Sequence, residues 1–233
     1  MTAPVAVRER GILMSAPMVR AILDGRKTQT RRVVKTRFDL DALLTAGTTW
    51  KVVEGGLHYD DGVGRGGIPL TNPYGLVGDR LWVRESFAGP DHIGNGDQGV
   101  GFGIEYKADG AFRAHGDCGC DGPCGGVLIV HPWKPSIHMP RWASRITLEI
   151  TDVRVERVQD ISEDDAQAEG VECPQCADQN WREVGGEAVQ CDYPNCGSGR
   201  ALFRDLWDTL NAKRGYGWDA NPWVWVLEFR RLA

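Results

Sequence analysis

Apolar and polar positions change rhythm several times along this chain, and each change predicts an element. Ile12-Leu13-Met14 is a short apolar run that predicts a strand. Ser15-Ala16-Pro17 has the composition of a helix start, because proline lacks an N–H that the first turn leaves unpaired anyway. Met18, Ala21 and Ile22 then share a helical face, and Gly25 suits the left-handed residue that ends such a helix. Lys27 to Arg32 predicts a second strand. Alternation sends Lys27, Gln29 and Arg31 to one face and Thr28, Thr30 and Arg32 to the other. A bulge or turn near Gly25 would still bring Lys27 and Thr30 to one site.

From about 36 to 74 the pattern fades, leaving a helix candidate at Leu40 to Leu44 and a glycine-rich loop at 62–67. Arg80 to Glu85 predicts a strand with Leu81 and Val83 on one face and Trp82 and Arg84 on the other. A glycine- and aspartate-rich tract at 89–126 follows, broken by a strand candidate at Val100 to Tyr106; it predicts an insertion or flexible flap. Its Gly94-x-Gly96 and Gly99-x-Gly101-x-Gly103 spacings lack the strand–loop–helix setting of a nucleotide fingerprint.

Regularity returns at Arg145. Ile146, Leu148 and Ile150 alternate with polar residues, and Val153 and Val155 resume on a shifted phase, which predicts a bulge at Thr151-Asp152. Ser162 and Asp165 make a capping-box-like helix start. Leu202, Phe203, Leu206, Trp207 and Leu210 share one face of a core helix over 201–211. The closing run Trp223 to Phe229 is apolar on both faces and belongs in the interior of a sheet. The sum is an α+β domain, a curled sheet or small β-barrel with flanking helices.

Composition adds limits. The 233 residues suffice for one domain with a good core, and 42% hydrophobic with 25% charged residues is ordinary for a globular chain. No apolar run has the length of a membrane span and the N-terminus lacks a signal-peptide core, so a cytoplasmic protein without a membrane partner is expected. A net charge of -5 argues against coating long nucleic acid. Locally the sign reverses: Arg20, Arg26, Lys27, Arg31, Arg32, Lys35 and Arg37 face a single acid, Asp24. That asymmetry fits a small anionic or polar ligand in a cleft.

Cys173-Pro-Gln-Cys176 and Cys191-x4-Cys196 are paired thiols either side of a 14-residue loop. Such knuckles suit a structural Zn2+, because four thiolates at tetrahedral geometry need two tight turns. Unpaired thiols or a disulfide are the alternative. His115, Cys118, Cys120 and Cys124 are a second, looser candidate zinc group. Four protein ligands leave no open position for substrate, so both groups point to stapling insertions rather than to catalysis.

Gly25-Arg26-Lys27-Thr28-Gln29-Thr30-Arg31-Arg32 after an apolar helix resembles the signature of the ASCH family, a branch of the PUA-like nucleic-acid and nucleoside-binding folds. Three further stretches resemble that family in the same order: Gly78-Asp79-Arg80-Leu81-Trp82-Val83-Arg84-Glu85, the acidic run Asp160 to Gly170, and Trp223 to Phe229. The resemblance implies one PUA-like domain over 1–233, with insertions at about 86–135 and 172–199. The segment Trp133 to Trp142 resembles the larger ASCH proteins of bacteriophages and prophages, which would place the protein in a bacterial host.

One branch of the family hydrolyses N4-acetylcytidine with a lysine, a threonine and a glutamate. Carried over by motif, these are Lys27, Thr30 and Glu169. Thr30 would attack the acyl carbon or position a water, a neutral Lys27 would accept the proton, and Glu169 would serve the exocyclic nitrogen. Arg26, Arg32 and Arg84 are candidates to hold the ligand, the last two also an oxyanion. Trp82, His138, Arg141 and Trp142 offer an aromatic plane, a proton carrier and a phosphate contact. Two other readings use the same residues: a non-catalytic binder of RNA or modified bases, and a ribonuclease in which Lys27 and Glu169 act on a phosphodiester. The expected partner is a modified nucleoside or nucleotide, or single-stranded RNA or DNA.

Overall fold

The computed structural model describes residues 6–36, 40–43, 50–53, 56–59, 67–68, 70–89, 103–114, 132–177 and 191–232. In chain order the elements are β1 (Glu9–Leu13), α1 (Ala16–Leu23), β2 (Gln29–Val33), α2 (Leu40–Leu43), β3 (Trp50–Val53), β4 (Gly56–Tyr59), β5 (Gly67–Ile68) and β6 (Arg80–Arg84). There follow β7 (Phe87–Ala88), β8 (Gly103–Tyr106), β9 (Phe112–Ala114), β10 (Thr147–Arg157), α3 (Glu163–Ala168), α4 (Pro174–Ala177), α5 (Gly199–Asn211) and β11 (Trp223–Arg231). The fold is mixed α/β. Its main sheet has the order β1-β6-β10-β11-β2, with β1 and β6 parallel and every other pair antiparallel.

The two-sided apolar character of β11 follows from its place inside this sheet. Trp225, Leu227 and Phe229 enter one core with Ile12, Leu81, Leu148 and Ile150. Val224 and Val226 enter a second core with Val158, Ile161, Ala166, Phe203 and Trp207. Each fully buried side chain of this kind contributes about 1.5–3 kcal/mol. The phase slip in β10 is a register shift between Ile150 and Asp152, which lets Ile150 and Val153 both join the first core.

The sheet is open. The expectation of a small barrel is corrected here, because among the described residues β1 pairs only with β6 and β2 only with β11, leaving two edges. A side chain spans them instead of a ladder: Arg32 Nη2 donates to the Leu13 carbonyl at 2.8 Å.

Part of the expected flap is folded. β7, β8 and β9 form a three-stranded sheet, and Phe87, Ile104 and Tyr106 pack with Met139 and Ala143 in a third core. Of the strand expected over Val100 to Tyr106, the described part is the strand Gly103–Tyr106. On α5 only Phe203 and Trp207 are buried, while Leu210 is 42% exposed, so the expected apolar face is divided between core and surface. Gly25 adopts the left-handed φ of +75° expected after α1. Among the described residues no helix is long and apolar enough to cross a membrane.

Candidate functional site

The strand alternation read along β2 brings Lys27, Gln29 and Arg31 together with the end of α3. Lys27 forms an isolated bridge with Glu169, and its side chain is fully buried. Its Nζ donates to Glu169 Oε2 at 2.8 Å, to the Glu169 carbonyl at 2.8 Å and to the Gln29 carbonyl at 2.7 Å. These three acceptors match the three N–H donors of the ammonium form. Burial holds the Lys27 pKa below its usual 10.5, and the Glu169 charge and hydrogen bond offset only part of that shift.

Arg31 continues the network. Its Nη1 reaches Gln29 Oε1 at 2.5 Å and Glu169 Oε1 at 3.4 Å, and its Nη2 reaches Asp165 Oδ2 at 3.1 Å and Glu156 Oε2 at 3.2 Å. Gln29 Nε2 donates to Asp165 and Glu228, and Arg154 binds Glu156, Asp165 and Glu228. Asp165 thus does two jobs. Its backbone N–H donates to Ser162 Oγ and starts α3, while its carboxylate faces the arginines. Gln29, Arg154, Glu156, Asp165 and Glu228 escaped the motif reading, although Gln29 and Arg31 share the face that alternation assigns to Lys27.

A cleft of about 610 Å³ opens along the seam between the two sheet edges. Gly11 to Ser15 form one wall, Thr30 to Val33 the other, and Glu169 and Tyr74 also line it. Thr30 and Arg32 pair with Leu227 and Trp225, on the face opposite Arg31. The cleft rounds the free edge of β2 and so meets both faces. Thr30 is 1% exposed, and its hydroxyl has no hydrogen-bond partner among the described residues. Lys27 lies behind Glu169, outside the lining. No bond joins Thr30 to Lys27 or Glu169 among the described residues.

The remaining candidates lie elsewhere. Arg26, 40% exposed, pairs with Asp24 and Glu172. Trp82 and Arg84 stack at 5.3 Å on the outer face of β6, where Arg84 also donates to the Ile137 carbonyl. Arg141 binds Glu9 and Thr147, and His138 and Trp142 are exposed on the turns beside it. None of these six lines the seam cleft.

The Sγ atoms of Cys173, Cys176, Cys191 and Cys196 lie within 4.8 Å of one another. Cys173 and Cys191 stand 3.5 Å apart and Cys176 and Cys196 3.6 Å apart. Four thiolates around a zinc at about 2.3 Å would stand about 3.8 Å apart, so the donor set fits a tetrahedral metal. The group joins the chain just after Glu169 to the start of α5, whose first N–H groups donate to Glu163 on α3. The second group, His115, Cys118, Cys120 and Cys124, lies outside the described residues.

Comparison of the chain with family models, with curated proteins and with solved structures gives no match.

Proposed function

We propose that the chain is an ASCH-type, PUA-like hydrolase that removes an acyl group from the exocyclic amine of a cytidine-type base. The observation that carries this reading is the cleft lining: an uncommitted Thr30 hydroxyl on one side of the β2 edge and the Glu169 carboxylate on the other. An amide seated there has an acyl oxygen to be polarised and a nitrogen to be protonated.

Glu169 takes a proton from a water as its oxygen bonds to the acyl carbon. Thr30 donates to the developing oxyanion. Glu169 then gives the proton to the exocyclic nitrogen as the C–N bond breaks, leaving the free amine and a carboxylic acid. Lys27 is a positioning residue in this scheme, since its three donors fix both the carboxylate and the backbone of Glu169.

A second reading, a binding cleft without turnover, is favoured by the same saturation: Arg31 and Lys27 together contact both Glu169 oxygens. Reaction in H2(18)O separates the two. Label appearing in released acetate supports hydrolysis, and binding with no labelled acetate supports the non-catalytic cleft.

The cysteine cluster holds a structural Zn2+ in this reading. The four Sγ atoms supply a closed tetrahedral set, so the metal braces the chain between Glu169 and α5 and takes no part in the chemistry.

A further inference from the structure

The charged lining of the seam cleft suits a ligand with an anionic end. The described residues that line it include four cations, Arg31, Arg32, Lys35 and Arg214, and one acid, Glu169. Arg31 is neutralised by Glu156, Asp165 and Glu169. Arg32 is not. Among the described residues no carboxylate lies within ion-pairing distance of its guanidinium, whereas Arg145 and Arg154, the other half-buried arginines in large networks, are each held by two or more.

Arg32 is anchored by one nitrogen only. Its Nη2 contacts the Leu13 carbonyl and, at 3.5 Å, Met14 Sδ, and no other donor of the group has a partner among the described residues. The anchor places the guanidinium beside Ser15, the N-cap of α1. Ser15 makes no side-chain cap bond, and both Ser15 and Met18 line the cleft. Pro17 has no N–H, so Ser15 and Met18 are the residues of this helix start that border the same space. Tyr74 shares it; burial raises the pKa of its phenol, which stays a proton donor. The independent sign that this space receives a ligand is Thr30, two residues from Arg32 on the same strand face, buried and with its hydroxyl unpartnered among the described residues.

We infer that Arg32, with the N-terminus of α1, Tyr74 and Lys35, binds a phosphate group of the ligand. The substrate of the proposed hydrolase is then a nucleotide or a phosphodiester-linked residue rather than a free nucleoside, an inference that rests on the nucleoside reading for the rest of the ligand. Strand residues two apart are separated by about 6.6 Å, so a phosphate at Arg32 leaves Thr30 and Glu169 for the far end of the molecule.

The test is calorimetric titration of the full chain with cytidine, cytidine 5′-monophosphate, ribose 5-phosphate and a cytidine dinucleotide. The monophosphate should bind about tenfold more tightly than cytidine, the equivalent of one charge-assisted contact. In Arg32→Gln, which keeps a donor for the Leu13 carbonyl, that preference should fall to about one, and Arg32→Lys should restore part of it. A melting curve confirms that each variant is folded. Inorganic phosphate added to the unmodified protein should shift the amide resonances of Ala16 and Met18, a readout that needs no variant. Equal affinity for cytidine and its monophosphate in the unmodified protein would overturn the inference, as would a preference that survives Arg32→Gln. Arg32-dependent binding of ribose 5-phosphate without any binding of cytidine would keep the phosphate subsite and remove the nucleoside reading. A dinucleotide that binds more tightly than the monophosphate identifies a strand as the phosphate source, and equal binding identifies a mononucleotide.

Discussion

Lys27 and Glu169 stand 142 positions apart, yet one ammonium holds both the carboxylate and the backbone carbonyl of the same glutamate, each at 2.8 Å. The pair fixes the end of α3 against the start of β2. Each charge depends on the other, because burial without a partner costs far more than the pair gains.

Removing one partner should therefore be worse than removing both. Lys27→Met is expected to lower stability by about 3–5 kcal/mol, because it leaves a carboxylate buried beside Arg31 alone. Lys27→Met with Glu169→Leu should recover a large part of that loss. Chemical denaturation of the two single variants and the double variant measures the coupling directly.

Gly170 makes the Lys27–Glu169 contact possible. Its φ is +72°, and a Cβ there would meet Lys27 Cβ at 2.7 Å and Ala21 Cβ at 2.9 Å. Gly170→Ala should cost about 1–3 kcal/mol through strain and overpacking. It should also displace Glu169, so a fall in both melting temperature and ligand affinity is the expected result.

Acid should loosen the same corner. Burial raises the Asp165 pKa, but Gln29, Arg31 and Arg154 outweigh it and hold the carboxyl below its usual 3.8. A depressed carboxyl pKa adds stability that is present above 3.8 and is lost as pH falls below it, through the folded value. Melting temperatures between pH 6 and pH 2.5 should drop more steeply for the unmodified protein than for Asp165→Asn.

Metal analysis should find about one zinc per chain, in accord with four cysteine ligands. Chelation should increase hydrogen exchange at 170–173 and in the first turn of α5, the two segments that the cysteines join. Cys176→Ser should reproduce that increase without chelator.

Much of this fold was legible because it depends on local alternation. Trp223 to Phe229 is apolar on both faces, and β11 has a core on each side. The shifted phase after Ile150 is a real bulge. The paired cysteines likewise converge as their spacing suggested. The open seam was not legible, because nothing in an edge strand says what faces it. Arg32 spans it with a side chain, and motif reading has no signal for a guanidinium that meets a carbonyl 19 residues earlier. Alternation did separate Thr30 from Lys27. What it could not supply is that Glu169 and Thr30 share a cleft rounding the β2 edge. Trp82 and Arg84 lie on the outer face that alternation assigned them, but their position away from that cleft depends on tertiary packing.

The most direct measurement is release of cytidine from N4-acetylcytidine and its 5′-monophosphate by the unmodified protein, Thr30→Val and Glu169→Gln. Turnover by the unmodified protein, reduced about a hundredfold or more in each variant that melts normally, is the predicted result. Absence of turnover in the unmodified protein, or undiminished turnover in both variants, would contradict the proposed hydrolase.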